Sequence, residues 1–165
     1  MAATFSFDVV SQVDLQEVDN AVNQALKEIS QRYDFKNTKS GIDFNKGEKT
    51  ITLTADDAYK LRALKEIMSN RFVSRKISPK ALAYKPEETA LGGTIRQVAN
   101  ISVGLEKEKA KELVQLIKKL NNRVQVQIEG EKLRVSSAKK DELQAVIQYL
   151  HGLDFALPLQ CINYR

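Results

Sequence analysis

The sequence predicts an α+β protein that contains two copies of one structural unit, each with the element order β-α-β-β-α-β. Three observations support this. A pattern of strand, tight turn, strand and helix occurs twice; the same tripeptide, Gly47-Glu48-Lys49 and Gly130-Glu131-Lys132, precedes the second strand of each copy; and an amphipathic helix that ends near Arg32 or Arg123 precedes each hairpin. This element order is typical of ferredoxin-like lobes, in which two helices cover one face of an antiparallel sheet.

The first copy begins with a strand in which Phe5, Phe7 and Val9 alternate with Ser6, Asp8 and Val10. Asp14 suits the N-cap of a helix that runs to about Gln31, and the stretch Arg32–Lys36 is expected to enter a strand. A hairpin and a helix from about Asp57 to Val73 follow. Pro86–Gly93 is the best linker or loop candidate, and a long strand with a polar stripe follows it, from Thr94 to Val103.

The second copy repeats this order, with a helix that carries Leu113 and Ile117 on its apolar face. In the hairpin, Val124, Val126 and Ile128 alternate with polar residues, and Ser137 is the expected N-cap of the last helix. A final strand is expected over Leu159–Tyr164. Each lobe would have about 70–80 residues, a size at which an isolated core is marginal.

Charge is unevenly distributed along the 165 residues. The formal net charge is +5, and residues 92–165 hold 12 Lys and Arg against 8 Asp and Glu, so most of the excess lies in the second copy. A modest basic excess favours an anionic partner such as a nucleotide, a nucleic acid or an acidic protein. No apolar run approaches the ~18 residues that a membrane span needs, and Met1–Phe5 does not resemble a signal peptide.

The residues do not predict an enzyme. His151 is the only histidine and Cys161 the only cysteine, so a zinc site of the His/Cys type is excluded, and the single cysteine fits a cytoplasmic location. Neither of the glycine-rich phosphate-binding motifs is present. Asp56 and Asp57 are explained by helix capping. We expect no catalytic residues, no metal and no cofactor.

The remaining chemistry is that of binding. Arg32-Tyr33-Asp34-Phe35-Lys36 interleaves cations with aromatic rings, which suits a phosphate and a base, although the same stretch is also explained by a buried aromatic ring and an Arg32–Asp34 pair. The strands Thr50–Thr54 and Leu133–Ser137 carry no aromatic residues, which disfavours base stacking of the RNA-recognition-motif kind. The sheet faces are instead rich in hydrogen-bonding groups. The candidate nucleotide-binding residues are Arg32, Tyr33, Lys36, Arg96, Gln125, Gln127, Arg134, Tyr164 and Arg165.

Several of these stretches resemble the YajQ-like family of bacterial proteins. The similar motifs run from about Phe5 to Arg165 and include Phe5–Ser11, Arg32–Lys36, Val124–Gly130, Leu133–Val135, Lys139–Ile147 and Leu159–Arg165. The resemblance implies two tandem ferredoxin-like lobes that exchange their N-terminal strands. The first lobe would span residues 13–103, with 93–103 as its exchanged strand, and the second would comprise residues 1–12, as its exchanged strand, and 104–165.

The resemblance also implies a cytoplasmic, non-enzymatic nucleotide-binding protein. The favoured ligand is cyclic di-GMP or another guanine nucleotide, with a transcription regulator as the protein partner through which it affects gene expression. An RNA-binding protein, with transfer RNA as its ligand, and a protein-interaction scaffold without nucleotide are the alternatives.

Overall fold

A computed structural model describes residues 4–165. The elements in this range are, in chain order, β1 (Phe5–Val10), α1 (Leu15–Gln31), β2 (Gly41–Asn45), β3 (Thr50–Ala55), α2 (Ala58–Ser74), β4 (Leu82–Tyr84), β5 (Glu88–Thr89), β6 (Ile95–Ile101), α3 (Lys107–Leu120), β7 (Gln125–Glu129), β8 (Lys132–Ser137), α4 (Lys140–Gly152) and β9 (Gln160–Ile162). Among the described residues, no helix is both long and apolar enough to cross a membrane.

The chain divides into two compact units. The first lobe is Val13–Ser102, and the second lobe joins the described residues up to Gln12 to Val103–Arg165. Each lobe has an antiparallel sheet and two helices, which confirms the predicted fold class. The first three residues of the predicted segment 1–12 lie outside the described residues. The exact boundaries at residues 13 and 103, and the origin of the two lobes by strand exchange, stay predictions.

The first lobe orders its strands β2-β3-β6-β4, and β5 also pairs with β6. Alternation along β3 turns Ile51, Leu53 and Ala55 into the core, where α1 and α2 cover them. Asp14 caps α1 by accepting from the backbone N–H groups of Gln16 and Glu17, as the sequence predicts.

The second lobe orders its strands β7-β8-β1-β9. The strand β1 therefore lies in the middle of a sheet whose other strands come from the end of the chain. Phe7 and Val9 point into the core with Leu133 and Val135, under α3 and α4. The other face of this sheet carries no helix of its own lobe and is the face that the polar residues of the alternating strands occupy.

Two local predictions were wrong. Arg32–Lys36 does not enter a strand: residues 33–35 form a 3-10 turn, in which the Phe35 N–H donates to the Arg32 carbonyl oxygen. Phe35 is buried beneath this turn. Its packing in the core determines the backbone conformation here, although the alternation of residues in Arg32–Lys36 resembles that of a strand. Ser137 is not the N-cap of α4. The cap position is Lys139, whose N–H donates to the Ser137 hydroxyl, and that hydroxyl donates to Glu142.

Candidate functional site

The open face of the second lobe's sheet, the face turned away from α3 and α4, gathers polar side chains from three adjacent strands. Leu133 and Val135 point to the helices, so their neighbours in β8 point the other way. In the ladder, Gln127 and Asp8 both lie opposite Arg134. The register therefore places the following residues on the open face: Ser6, Asp8, Val10, Gln125, Gln127, Glu129, Lys132, Arg134, Ser136, Gln160 and Ile162.

Asp8 lies at the centre of this face and is only 3% exposed. One carboxylate oxygen accepts from the Arg134 Nε at 3.4 Å, and the other accepts from the Asn163 Nδ2 at 2.9 Å and lies 3.5 Å from the Lys132 Nζ. Burial alone raises the pKa of Asp8, but the hydrogen bonds from Asn163 and Arg134 and the charges of Lys132 and Arg134 outweigh it, so the pKa lies below its ordinary value of 3.8. Asp8 is thus held as a carboxylate.

A bulge brings Asn163 to Asp8. Ile162 lies opposite Asp8 in the ladder, whereas Ser6 exchanges both backbone hydrogen bonds with Arg165, so the end of the chain has one residue more than β1 over this stretch. Asn163 takes up the extra length with a φ of 58°, a left-handed conformation that asparagine tolerates better than most residues. Beyond the bulge, the Tyr164 ring stacks on Phe7 with the centroids 6.0 Å apart. Phe7 belongs to the core under the helices, so Tyr164 covers the edge of the sheet and not its open face.

Arg134 lies between two carboxylates. Besides its contact with Asp8, its Nη1 lies 3.5 Å from the Glu129 Oε1, and 36% of its side chain remains exposed. Gln125 and Gln127, on the neighbouring edge strand, are exposed and present amide groups to solvent. The open face can therefore offer a guanidinium and two amides to one ligand.

The first-lobe cluster is arranged differently. The Arg32 guanidinium donates through Nε and Nη2 to the Asp34 carboxylate, at 3.0 and 2.8 Å, and also lies 3.5 Å from Glu28. The pKa of Arg32 is raised by the Asp34 hydrogen bond, and that of Asp34 is lowered by the same bond. The Phe35 ring lies beneath, with the Arg32 guanidinium 5.6 Å and the Lys60 Nζ 5.4 Å from its centroid. The structure therefore has both the Arg32–Asp34 pair and the buried ring that the alternative interpretation expects.

Tyr33 and Lys36 flank this cluster and face solvent. Tyr33 is 88% exposed, far more than a tyrosine with a packing role, and Lys36 is exposed as well. Arg96 lies elsewhere in the first lobe, opposite Thr54 on the sheet, where its Nη2 is 2.9 Å from the Glu88 carboxylate. Besides Arg96 and Glu88, that face carries Asp43 and the hydroxyl groups of Thr50, Thr52 and Thr54.

The structure brings together some of the predicted residues. Gln125, Gln127 and Arg134 share one face, while Tyr164 and Arg165 lie at its β9 edge. Arg32, Tyr33 and Lys36 form a separate group in the other lobe. Sequence reasoning missed Asp8 and Lys132 as members of this cluster and did not predict the contact of Asn163 with Asp8. Asp8 could have been found from the sequence, because it is the only charged residue in the apolar strand Phe5–Val10. The bulge that brings Asn163 to Asp8 has no pattern in the local sequence.

The other candidate features do not add a site. A groove of about 320 Å³ on the first lobe is lined by Gln24, Lys27, Glu28, Gln31 and Arg71, and the ion pair between Arg71 and Glu28, at 2.6 Å, occupies it. Within residues 4–165, no group of three or more His, Cys, Asp or Glu side chains could hold a metal ion. Burial raises the pKa of the Cys161 thiol to about 11, which makes it a poor nucleophile.

Comparison with known proteins gives a match along nearly the whole chain. A family model described as nucleotide-binding protein YajQ-like matches residues 5–165. The chain is similar to a nucleotide-binding protein of Endomicrobium trichonymphae, with 55% identity over 165 residues and 100% of both chains covered. It is also similar to proteins of the same description from Carboxydothermus hydrogenoformans, at 52% identity, and Chloroherpeton thalassium, at 43%, each over 165 residues and 100% of both chains.

Proposed function

Because the chain belongs to the YajQ-like family of nucleotide-binding proteins, we propose that it binds a nucleotide and catalyses no reaction. The favoured ligand is cyclic di-GMP or another guanine nucleotide. The bound form would act in the cytoplasm through a protein partner, a transcription regulator, on gene expression. The names of the relatives, all of them nucleotide-binding proteins, support the ligand class.

The observation that carries this proposal is the open face of the second lobe. It combines the Arg134 guanidinium, a donor suited to a phosphate, with the exposed amides of Gln125 and Gln127, which can hydrogen-bond the edge of a guanine. These groups are pre-positioned on paired strands, so little conformational entropy is lost when they bind. Arg165 at the edge adds a second exposed guanidinium for a phosphate.

The charge of the protein fits a small anion. Cyclic di-GMP has two phosphates and two guanines, and needs only a few cations and one or two flat contact surfaces. A net charge of +5 is enough for such a ligand and does not require a long polyanion.

The test is calorimetric titration of nucleotide-stripped protein with cyclic di-GMP, with GTP and with a short structured RNA, each at two salt concentrations. We expect saturable one-site binding of a guanine nucleotide with little salt dependence. Arg134→Gln should weaken it by about tenfold or more, since a hydrogen bond to a charged group contributes about 1.5–3 kcal/mol. Arg62→Gln, which removes an exposed arginine of α2, is the matched control and should leave the affinity unchanged.

A second candidate function is RNA binding through the first lobe. The observation that favours it is the 88% exposure of Tyr33 beside Lys36, an arrangement suited to stacking a base and neutralising a phosphate, with Arg32 and Arg96 as further cations. RNA binding predicts an affinity that falls steeply with salt and is weakened by Tyr33→Ala. If none of the three ligands shows saturable binding up to about millimolar concentration, the nucleotide proposal is wrong, and a protein-interaction scaffold is the remaining function.

A further inference from the structure

The burial of the charged Asp8 side chain on a sheet face costs free energy, so other interactions must offset that cost. Asp8 is 3% exposed, and an ionised group loses much of its hydration when it is buried. An apolar side chain at this position would avoid that cost, as the adjacent alternating position Val10 on the same strand shows. Asp8 is instead retained as a charge with three polar partners, two of them cationic.

These partners are not themselves buried. Lys132 and Arg134 each keep 36% of the side chain exposed, although each has a nitrogen within 3.5 Å of the Asp8 carboxylate. The ion pairs recorded for Arg134 in the described part of the chain use Nε and Nη1, which leaves Nη2 for solvent or ligand. The Lys132 ammonium has three N–H donors, and within residues 4–165 its ion pair is with Asp8, whose carboxylate lies 3.5 Å from Nζ. The Asp8 carboxylate therefore holds two cationic side chains that both remain accessible to solvent.

We propose that Lys132 and Arg134 form the phosphate subsite of the open face and that Asp8 is the residue that positions them. This inference rests on the proposed nucleotide binding. Both side chains contact the two oxygens of one carboxylate group and remain partly exposed, so both are available to a phosphate group bound above them. Lysine supplies a point charge and arginine a planar fork, the two donor types that proteins use for phosphate.

Glu129 competes with the phosphate at this subsite. Its Oε1 lies 3.5 Å from the Arg134 Nη1, and its side chain is 37% exposed at the edge of the sheet. With both carboxylates in place, the four charges of Asp8, Glu129, Lys132 and Arg134 cancel. A bound phosphate displaces Glu129 from Arg134, because Glu129 is the carboxylate that solvent can reach, whereas Asp8 stays beneath.

The two carboxylates therefore have opposite roles. The proposal predicts that neutralising Asp8 and neutralising Glu129 change the affinity for an anion in opposite directions. If only local charge mattered, Asp8→Asn and Glu129→Gln would both strengthen anion binding by removing a negative charge. If Asp8 positions the cations, Asp8→Asn weakens binding by about threefold or more, whereas Glu129→Gln strengthens it. Asparagine has nearly the shape of aspartate, so the fold is retained, and circular dichroism and thermal unfolding verify this for each variant.

The experiment measures binding of GTP, cyclic di-GMP and inorganic pyrophosphate to the full chain by calorimetry, together with NMR of the Arg134 Nε–H and the Lys132 side chain. We expect Lys132→Gln and Arg134→Gln to weaken the binding of both nucleotide and pyrophosphate by about tenfold or more. Lys111→Gln, which removes an exposed lysine of α3 in the same lobe, should have no effect. Asp8→Asn should broaden or shift the Arg134 Nε–H signal in the unliganded protein.

Each outcome decides one of the two proposals. Pyrophosphate binding that shifts Lys132 and Arg134, in a protein that binds no nucleotide, would leave the phosphate subsite standing and overturn the nucleotide function. Nucleotide binding that leaves both signals unmoved would overturn the subsite and keep the function. An affinity that is unchanged or improved by Asp8→Asn would overturn the positioning role of Asp8.

Discussion

At the scale of single residues, Asp8 links stability to pH. Its pKa in the folded protein lies below the ordinary value of 3.8, so the unfolded chain binds more protons than the folded one as the solution becomes acidic. The stabilisation by this carboxylate is therefore fully present above pH 3.8 and is lost as the pH falls through the lowered pKa.

We expect Asp8→Asn to lower the free energy of unfolding of the second lobe by about 1–3 kcal/mol at pH 7, because Lys132, Arg134 and Asn163 lose an ionised acceptor. The difference between variant and wild type should shrink below pH 3.8. Urea unfolding followed by circular dichroism at several pH values measures this. A difference that stays constant down to strongly acidic pH would contradict the assignment.

Cys161 gives a second residue-scale prediction. Burial raises the pKa of its thiol from 9.0 to about 11, so at pH 8 the thiolate fraction is about 100-fold lower than in the unfolded chain. We expect iodoacetamide to modify the native protein more slowly than the urea-unfolded protein, by about tenfold or more as followed by intact mass, because the more basic thiolate is the better nucleophile and offsets part of its lower fraction. Equal rates in both states would show that the last strand is not packed as described.

The sequence predicts which side chains face solvent. It predicts less well which of those side chains are already paired with another residue. Alternation alone puts Gln125, Gln127 and Arg134 on one face, because a strand has a side-chain period of two. It does not show that Arg32 is held by Asp34, since that pair depends on the 3-10 turn that folds the two side chains together. Contacts between residues far apart in the chain, such as Asn163 with Asp8, leave no local pattern at all.

At the scale of elements, the bulge at Asn163 requires a residue that adopts a positive φ and a side chain that donates a hydrogen bond to Asp8. Asn163→Gly removes the hydrogen bond to Asp8 but keeps a residue that adopts positive φ without strain. Asn163→Ala removes the same bond and adds about 1 kcal/mol or more of strain at a φ of 58°. We expect alanine to be the more destabilising of the two in urea unfolding. The opposite order would show that the bulge does not persist in solution.

The helices and hairpins could be predicted because each carries its own signal. Apolar residues at helical spacing, Asp14 and Asp57 as caps, and Gly-Glu-Lys at both turns are local features, and the structure has α1, α2 and both hairpins at those places. Arg32–Lys36 was predicted wrongly because Tyr33 and Phe35 alternate with charged residues as they would in a strand. Only one of the two rings is buried, and the packing of Phe35 decides the local conformation.

At the scale of the whole molecule, the two lobes differ in how the chain builds them. The first lobe is continuous, Val13–Ser102, and contains every strand of its sheet. The second lobe has β1 between β8 and β9, and Val103–Arg165 alone would leave a gap in the middle of the sheet. A missing central strand removes two ladders of hydrogen bonds and the core residues Phe7 and Val9.

We therefore expect a fragment of residues 13–102 to fold alone, with dispersed amide signals and cooperative unfolding, and a fragment of residues 103–165 to remain unfolded. Appending residues 4–12 to the C-terminus of the latter through a flexible linker should restore its fold, because the strand then has its place between β8 and β9. NMR amide dispersion checks all three. A folded fragment of residues 103–165 would contradict the role given to β1.

The central position of β1 has a consequence for synthesis. Asp8 is synthesised 126 positions before its partner Arg134, and β9 comes later still. At about 5–20 residues per second, β1 waits roughly 6–30 seconds for its neighbours. During that time the first lobe can complete its sheet, whereas Phe5–Val10 is an unpaired apolar segment that a chaperone or another nascent chain can bind. A message cut short before Lys132 therefore yields a chain with one complete lobe and an unpaired N-terminal strand.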